Sequence, residues 1–201
     1  MKIVLVGASG TLGSAIAQEL SGDHELIRAS RSGQDEQVDI LDEASIQALF
    51  ERVGPFDALI SATGWVHFGS WEQAQPQDMA TSLNNKLMGQ IRLTLLARPF
   101  LNPGGSVTLI SGIVGDGAYI RDGLEAATIN QALQGFVQAS ALYWREGRIN
   151  LLSPTALRES IADYGPYFPG FEPIPAAQAA KACRRSVEGV ETGRILRVGY
   201  A

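Results

Sequence analysis

Gly7, Gly10 and Gly13 carry the first chemical signal in this 201-residue chain, within Gly7-Ala8-Ser9-Gly10-Thr11-Leu12-Gly13. The spacing is G-x-x-G-x-x-G. An apolar run, Lys2 to Val6, precedes it, and Leu12, Ile16 and Leu20 follow at four-residue spacing. A strand that feeds a helix through such a loop turns backbone N–H groups and the positive end of the helix dipole outward, which suits a phosphate. In that setting Gly7 permits the tight turn and Gly10 lets a pyrophosphate approach the backbone. Gly13 lets helix sit close on strand. With Ser9, Thr11 and Leu12 between the glycines, the chemistry implied is dinucleotide binding.

A second signal concerns which dinucleotide. An NAD site usually places an acid near the end of the second strand to accept the ribose hydroxyls. Here Ala29-Ser30-Arg31-Ser32 occupies that place, and no acid follows until Asp35. An arginine beside hydroxyls suits a 2′-phosphate through charge-assisted hydrogen bonds. Arg31 and Ser32 therefore favour NADP(H) over NAD(H).

The elements that must position these residues alternate along the chain. Strands are expected at Lys2–Val6, His24–Arg28, Val38–Ile40, Asp57–Ser61, Ser106–Ser111, Arg148–Leu152 and Arg194–Val198. Asp42 has N-cap character for a helix carrying Ile46, Leu49 and Val53. Pro76 opens a long helix with Met79, Leu83, Leu87, Ile91 and Leu95 inward. Another runs from about Ala126 to Arg145, with Ile129, Leu133, Phe136, Val137 and Leu142 inward. Pro175 starts an Ala-rich helix ending at Gly189. Such alternation predicts one doubly wound α/β domain over residues 1–201, a parallel sheet of about seven strands with helices on both faces.

Composition narrows the class. With 45% hydrophobic and 18% charged residues and a net charge of −5, the chain is neither disordered nor suited to nucleic acid or a membrane surface. No apolar run approaches the roughly 20 residues of a membrane span, and the N-terminus lacks signal-peptide features. One cysteine, Cys183, excludes an internal disulfide and suits a reducing cytoplasm. Two histidines, His24 and His67, leave little for a metal site, and none is expected.

Together these residues resemble the short-chain dehydrogenase/reductase family from Lys2 to Val198. Val38-Asp39-Ile40 is similar to the family's short third strand, whose Asp accepts from the adenine amino group. Ser61-Ala62-Thr63-Gly64 stands where the family has Asn-Asn-Ala-Gly along the cofactor. Ser153-Pro154 resembles the segment that contacts nicotinamide, with Thr155 in place of a Gly. Glu191-Thr192-Gly193-Arg194-Ile195-Leu196 resembles the C-terminal strand signature.

The resemblance also implies an altered active site. Family members use a tyrosine to protonate the carbonyl, a lysine four residues later, a serine and an asparagine. Matching the helix that begins near Ala126 puts Ala126 at the tyrosine and Asn130 at the lysine. Gly112 takes the serine position, with Ser111 one residue earlier. Lys86-Leu87-Met88-Gly89 resembles the family's Asn-x-x-Gly, so Lys86 replaces the asparagine. Lys86, Ser111 and Asn130 are thus the candidate catalytic residues. Lys86 either supplies the missing positive charge near the nicotinamide ribose or snorkels to solvent. Tyr119 and His67 are further acid candidates from their loops.

Tyr164, Tyr167, Phe168 and Phe171 lie among prolines in a stretch at about 157–175, where the family carries a substrate lid. These aromatics serve either as an apolar pocket wall or as a subunit contact. The expected function is NADP(H)-dependent hydride transfer to a small apolar carbonyl or quinone-like acceptor, by a homo-dimer or homo-tetramer. The rival is an NADP(H)-binding sensor or structural protein without turnover, which loss of the tyrosine–lysine pair supports.

Overall fold

A computed structural model describes residues 1–200. Seven strands form one sheet in the order β3-β2-β1-β4-β5-β6-β7, every pair parallel. They are β1 (Lys2–Val6), β2 (Glu25–Ser30), β3 (Glu36–Gln37), β4 (Phe56–Ser61), β5 (Leu101–Ile110), β6 (Arg148–Pro154) and β7 (Ile195–Val198). Strand order reverses between β1 and β4. In such sheets the crevice beyond the carboxyl ends of the two strands at the reversal is the usual ligand site.

Strand alternation divides the core in two. Val4 and Val6 of β1, Leu59 of β4 and Val107 and Leu109 of β5 face one layer. Against them pack Ile46, Leu49 and Phe50 of α2 (Glu43–Val53), Leu93 and Ala97 of α4 (Gly89–Ala97), and Ile129, Leu133 and Val137 of α5 (Leu124–Tyr143). Ile3, Leu5, Ala58 and Ile60 face the other layer. There they meet Ile16 and Leu20 of α1 (Thr11–Leu20) and Ala179, Cys183 and Val187 of α7 (Ala176–Glu188). Helices thus cover both faces, as the alternating pattern implied. Asp42 caps α2 by accepting from the Ala44 amide at 2.9 Å.

Several expected boundaries shift. The third strand is Glu36–Gln37 rather than Val38–Ile40. The Asp39 carboxylate accepts from Leu41 N, and Asp39 N donates to Ser45 Oγ, so the chain leaves the sheet at Asp39. The long helix from Pro76 is also not continuous. It runs as α3 (Pro76–Ser82), a π-helical turn over Leu83–Met88, then α4. That turn widens the helix and rotates the face beyond it. The buried residues become Ser82, Gly89, Gln90, Leu93, Thr94 and Ala97, while Leu95 is half exposed. Leu142, expected inside, is exposed near the end of α5.

Gly13 shows how tightly the site end is built. A Cβ there would lie 2.0 Å from Gly7 O and 2.8 Å from Gly7 C, both backbone atoms that cannot swing aside. Gly22, by contrast, has nothing within 4 Å. Gly13→Ala is expected to cost about 2 kcal/mol or more, lowering Tm by roughly 4–8 °C, with Gly22→Ala near neutral. Thermal denaturation of the two variants checks this.

Candidate active site

The glycine loop sits where its spacing placed it. Gly7 adopts φ +87° and donates its N–H to Ala29 O at 2.9 Å, locking the loop to the end of β2. Gly10 caps α1 without a side-chain partner, so the first amides of the helix, at Thr11 and Leu12, have no intrahelical acceptor. Ser14 Oγ bonds back to Ala8 O at 3.2 Å and braces the loop from below.

A groove extends from this loop in both directions. Toward β2 it is a cavity of about 350 Å³ walled by Ser9, Ser30, Arg31, Asp39 and Ile40. Toward β6 it deepens into about 430 Å³ lined by Thr11, Leu12, Lys86, Ser111, Asn130 and Pro154. Gly10, Ala62, Thr63, Gly64 and Trp65 belong to both parts. Thirteen of the candidate residues, with Gly7, therefore meet along one channel.

Two candidates fall outside it. Ser61 is buried beneath the floor with its hydroxyl unpartnered. Ser32 is exposed outside the wall, its hydroxyl 3.4 Å from that of the buried Ser30, which lines the groove.

Charge on the β2 side is sorted by pairing. Arg28 grips Asp35 through Nε at 2.9 Å and Nη2 at 2.8 Å, which holds the Asp35 carboxyl below its usual range. The first acid after β2 is thereby engaged. Arg31 has no ion pair among the described residues and lines the groove.

The deep end is organised around Lys86. Its side chain lies against Gly64, where a Cβ would come within 2.9 Å of Lys86 Cα and Cβ and 2.7 Å of Cγ. From there Nζ donates to Asn130 Oδ1 at 2.9 Å and lies 3.5 Å from Ser111 O. Asn130 Nδ2 donates to Val114 O at 2.8 Å and Gly112 O at 3.3 Å. Lys86 therefore points inward rather than to solvent. Burial lowers its pKa from 10.5 to about 8. Ser111 turns its hydroxyl back toward Leu152 O and offers Lys86 only its carbonyl.

Neither loop candidate reaches this end. Tyr119 is 80% exposed and lines a separate cavity of about 930 Å³ with Trp71 and Arg121. His67 stacks edge-on to Trp65, ring centroids 6.3 Å apart, and is absent from both walls. An aromatic roof closes the Lys86 cavity instead. Phe68 lies 4.9 Å from Tyr167 and 5.7 Å from Tyr164, centroid to centroid, and Tyr164 and Phe168 line the cavity. Arg158 N to Ile174 O at 2.8 Å and Ile174 N to Ala156 O at 3.0 Å tie the two ends of this segment together.

Sequence reasoning missed Trp65, Asn85 and Gln90. Trp65, half exposed over both cavities, is fixed by its N–H to Asn85 Oδ1 at 2.7 Å. Gln90, fully buried, pairs with both N and O of Ile110 at 2.9 Å and so pins the strand end that leads into Ser111. Trp65, next to Ser61-Ala62-Thr63-Gly64, was the one with a usable signal. Nothing in the sequence around Gln90 signals its burial.

Comparisons with known proteins agree with this architecture. A family profile described as enoyl-(acyl carrier protein) reductase matches residues 8–195. The solved structure of the protein lin1944 from Listeria innocua is 42% identical over 98% of both chains, with a TM-score of 0.95. A small-chain dehydrogenase solved in complex with NADPH is 23% identical over 98% of this chain and 96% of that one, TM-score 0.87. An uncharacterized oxidoreductase of Methylorubrum extorquens is 25% identical over 176 residues, 75% of this chain and 71% of its own. The chain belongs to the short-chain dehydrogenase/reductase family of oxidoreductases.

The Lys86 geometry has a pH signature. A lysine whose folded pKa lies below its unfolded value makes the folded state gain stability as pH rises between the two. From pH 7 to above 10.5, native stability measured against Lys86→Met is expected to improve by about 3 kcal/mol. Urea denaturation of both proteins across that range checks the sign and size.

Proposed function

We propose that this protein is an NADP(H)-dependent oxidoreductase that passes hydride to a small apolar carbonyl or quinone-like acceptor. The observation that carries the reading is the continuous groove, with phosphate-binding features at its centre, an unpaired Arg31 at one end and Lys86 at the other. The residues fit the dinucleotide. A Cβ on Gly10 would meet nothing closer than Gly7 O at 3.5 Å, so that face of the loop is open to a ligand, while Gly7 and Gly13 fix the loop's shape. Bound there, the nicotinamide supplies hydride to the acceptor.

The chain's own residues would do the rest. Thr11 and Leu12 present amides to the pyrophosphate, which passes over Gly10, and Asp39 and Ile40 flank the adenine end. Arg31 and Ser30 take the 2′-phosphate. Ala62, Thr63 and Pro154 bound the nicotinamide end, which Phe68, Tyr164 and Phe168 cover with an apolar roof. Lys86 is the one charged residue on the wall of the deep cavity, which favours an uncharged planar acceptor. Residues 157–175 then act as the substrate lid of one domain spanning the chain. The exposed Leu95, Leu142 and Tyr143 of α4 and α5 support a homo-dimer or homo-tetramer. A second reading, a dinucleotide sensor without turnover, is favoured by Ala126, which leaves no tyrosine at the helix position where the family keeps one.

A single-turnover assay with NADPH deuterated on each face in turn, against aldehydes, ketones and quinones, separates the two. Deuterium in a product from one face only supports the oxidoreductase; tight binding without transfer across the panel supports the sensor. For the cofactor choice, Arg31→Ala is expected to weaken NADPH binding by about 10- to 100-fold, the worth of a charge-assisted hydrogen bond, and to leave NADH binding nearly unchanged. Isothermal titration with both nucleotides reads this, and equal losses for the two would contradict the assignment.

A further inference from the structure

We propose that Lys86 is the proton donor of this pocket and that Asn130 is the positioning residue that aims it. The inference rests on the oxidoreductase reading above and assigns the acid that reading lacks.

Hydrogen-bond capacity divides the two roles. Asn130 has two amide hydrogens, directed at Val114 O and Gly112 O, and its Oδ1 accepts from Lys86. No donor remains for a substrate. The Lys86 ammonium has three hydrogens. One goes to Asn130, and the only other acceptor in reach among the described residues, Ser111 O, is a long 3.5 Å away. At least one hydrogen is therefore free for the cavity that Nζ borders.

At the positions where the family carries its tyrosine and serine, no proton donor faces the cavity. Ala126 carries no proton, and Gly112 no hydroxyl. The Ser111 hydroxyl faces Leu152 O. Among residues lining the cavity only Tyr164, on the roof, is also titratable, and no carboxylate, histidine or arginine lines it. Nothing of opposite charge holds the Lys86 proton in place. With its pKa at about 8, the ammonium is a stronger acid than a phenol and reloads from solvent near neutral pH.

The acceptor's carbonyl carbon gains a C–H bond by hydride transfer from the nicotinamide, and its C=O π pair moves onto oxygen. That oxygen takes a proton from Lys86 Nζ. The carbonyl is reduced by two electrons, the nicotinamide is oxidised, and the neutral amine recovers its proton from water.

Two measurements test this, one without any cofactor. The protein has three lysines, Lys2, Lys86 and Lys181, so ¹⁵N-labelled lysine gives three side-chain signals, with Lys86 identified by its loss in Lys86→Gln. In the cofactor-free protein the Lys86 signal is expected to titrate near 8 and to move up by about one unit or more in Asn130→Asp, which sets a carboxylate against it. A midpoint at the ordinary lysine value, unmoved by Asn130→Asp, would overturn the proposal even if no acceptor were ever found. With an acceptor, kcat/KM falls above the same pH, and Asn130→Asp carries that limb upward. Lys86→Arg keeps the charge but cannot release a proton, so turnover drops about 100-fold or more and the limb disappears. Loss of the limb in Tyr164→Phe with its retention in Lys86→Arg would place the acid on the roof and refute the assignment. Absence of hydride transfer in the native protein counts against the oxidoreductase reading, and the cofactor-free titration still decides the state of Lys86.

Discussion

Three backbone segments meet with no room for a side chain at the carboxyl end of β1. A Cβ on Gly7 would lie 2.3 Å from Ala62 O, and one on Gly13 would lie 2.0 Å from Gly7 O. This closeness seats α1 directly over the end of β1 and brings the residues after β4 beside the glycine loop. The groove depends on it. Because Gly10 ends up as an unassisted cap at the crevice where strand order reverses, the exposed amides of α1 open into the channel.

The same close approach reaches the deep end of the site. Gly64 takes φ +110° and has no Cβ to fend off the helix that carries Lys86. Lys86 is thus pressed against the segment after β4 and, partly buried, turns toward the cavity rather than the solvent. Desolvation of a cation is costly, and here one strong hydrogen bond to Asn130 offsets only part of it. Stability that a neutral residue would avoid losing is given up at this position, a pattern more typical of sites than of cores.

Much of this was legible in the sequence, for physical reasons. The glycine loop, the strand order class and the two-sided helix packing follow from local periodicity and backbone freedom, which a sequence displays directly. Reading the exchanged residues against the family pattern marked Lys86 and Asn130 as site candidates, but not the hydrogen bond between them. What the sequence hid was rotation and competition. A π-helical turn over Leu83–Met88 altered which face of the helix was buried, so Leu95 lost its place to Gln90, Leu93 and Ala97. Arg28, unremarkable in sequence, removes Asp35 from contention and leaves Arg31 without an ion pair among the described residues. Ser111 kept its place on the cavity wall but its hydroxyl was taken by β6, a rotamer choice that spacing does not encode.

The most direct test of the groove is a crystal structure of the protein with NADPH. The expected density places the pyrophosphate over Gly10 and the amides of Thr11 and Leu12, the 2′-phosphate against Arg31, and the nicotinamide in the cavity that Lys86 and Asn130 border. A dinucleotide bound elsewhere, or a groove that stays empty at saturating NADPH, would contradict the account.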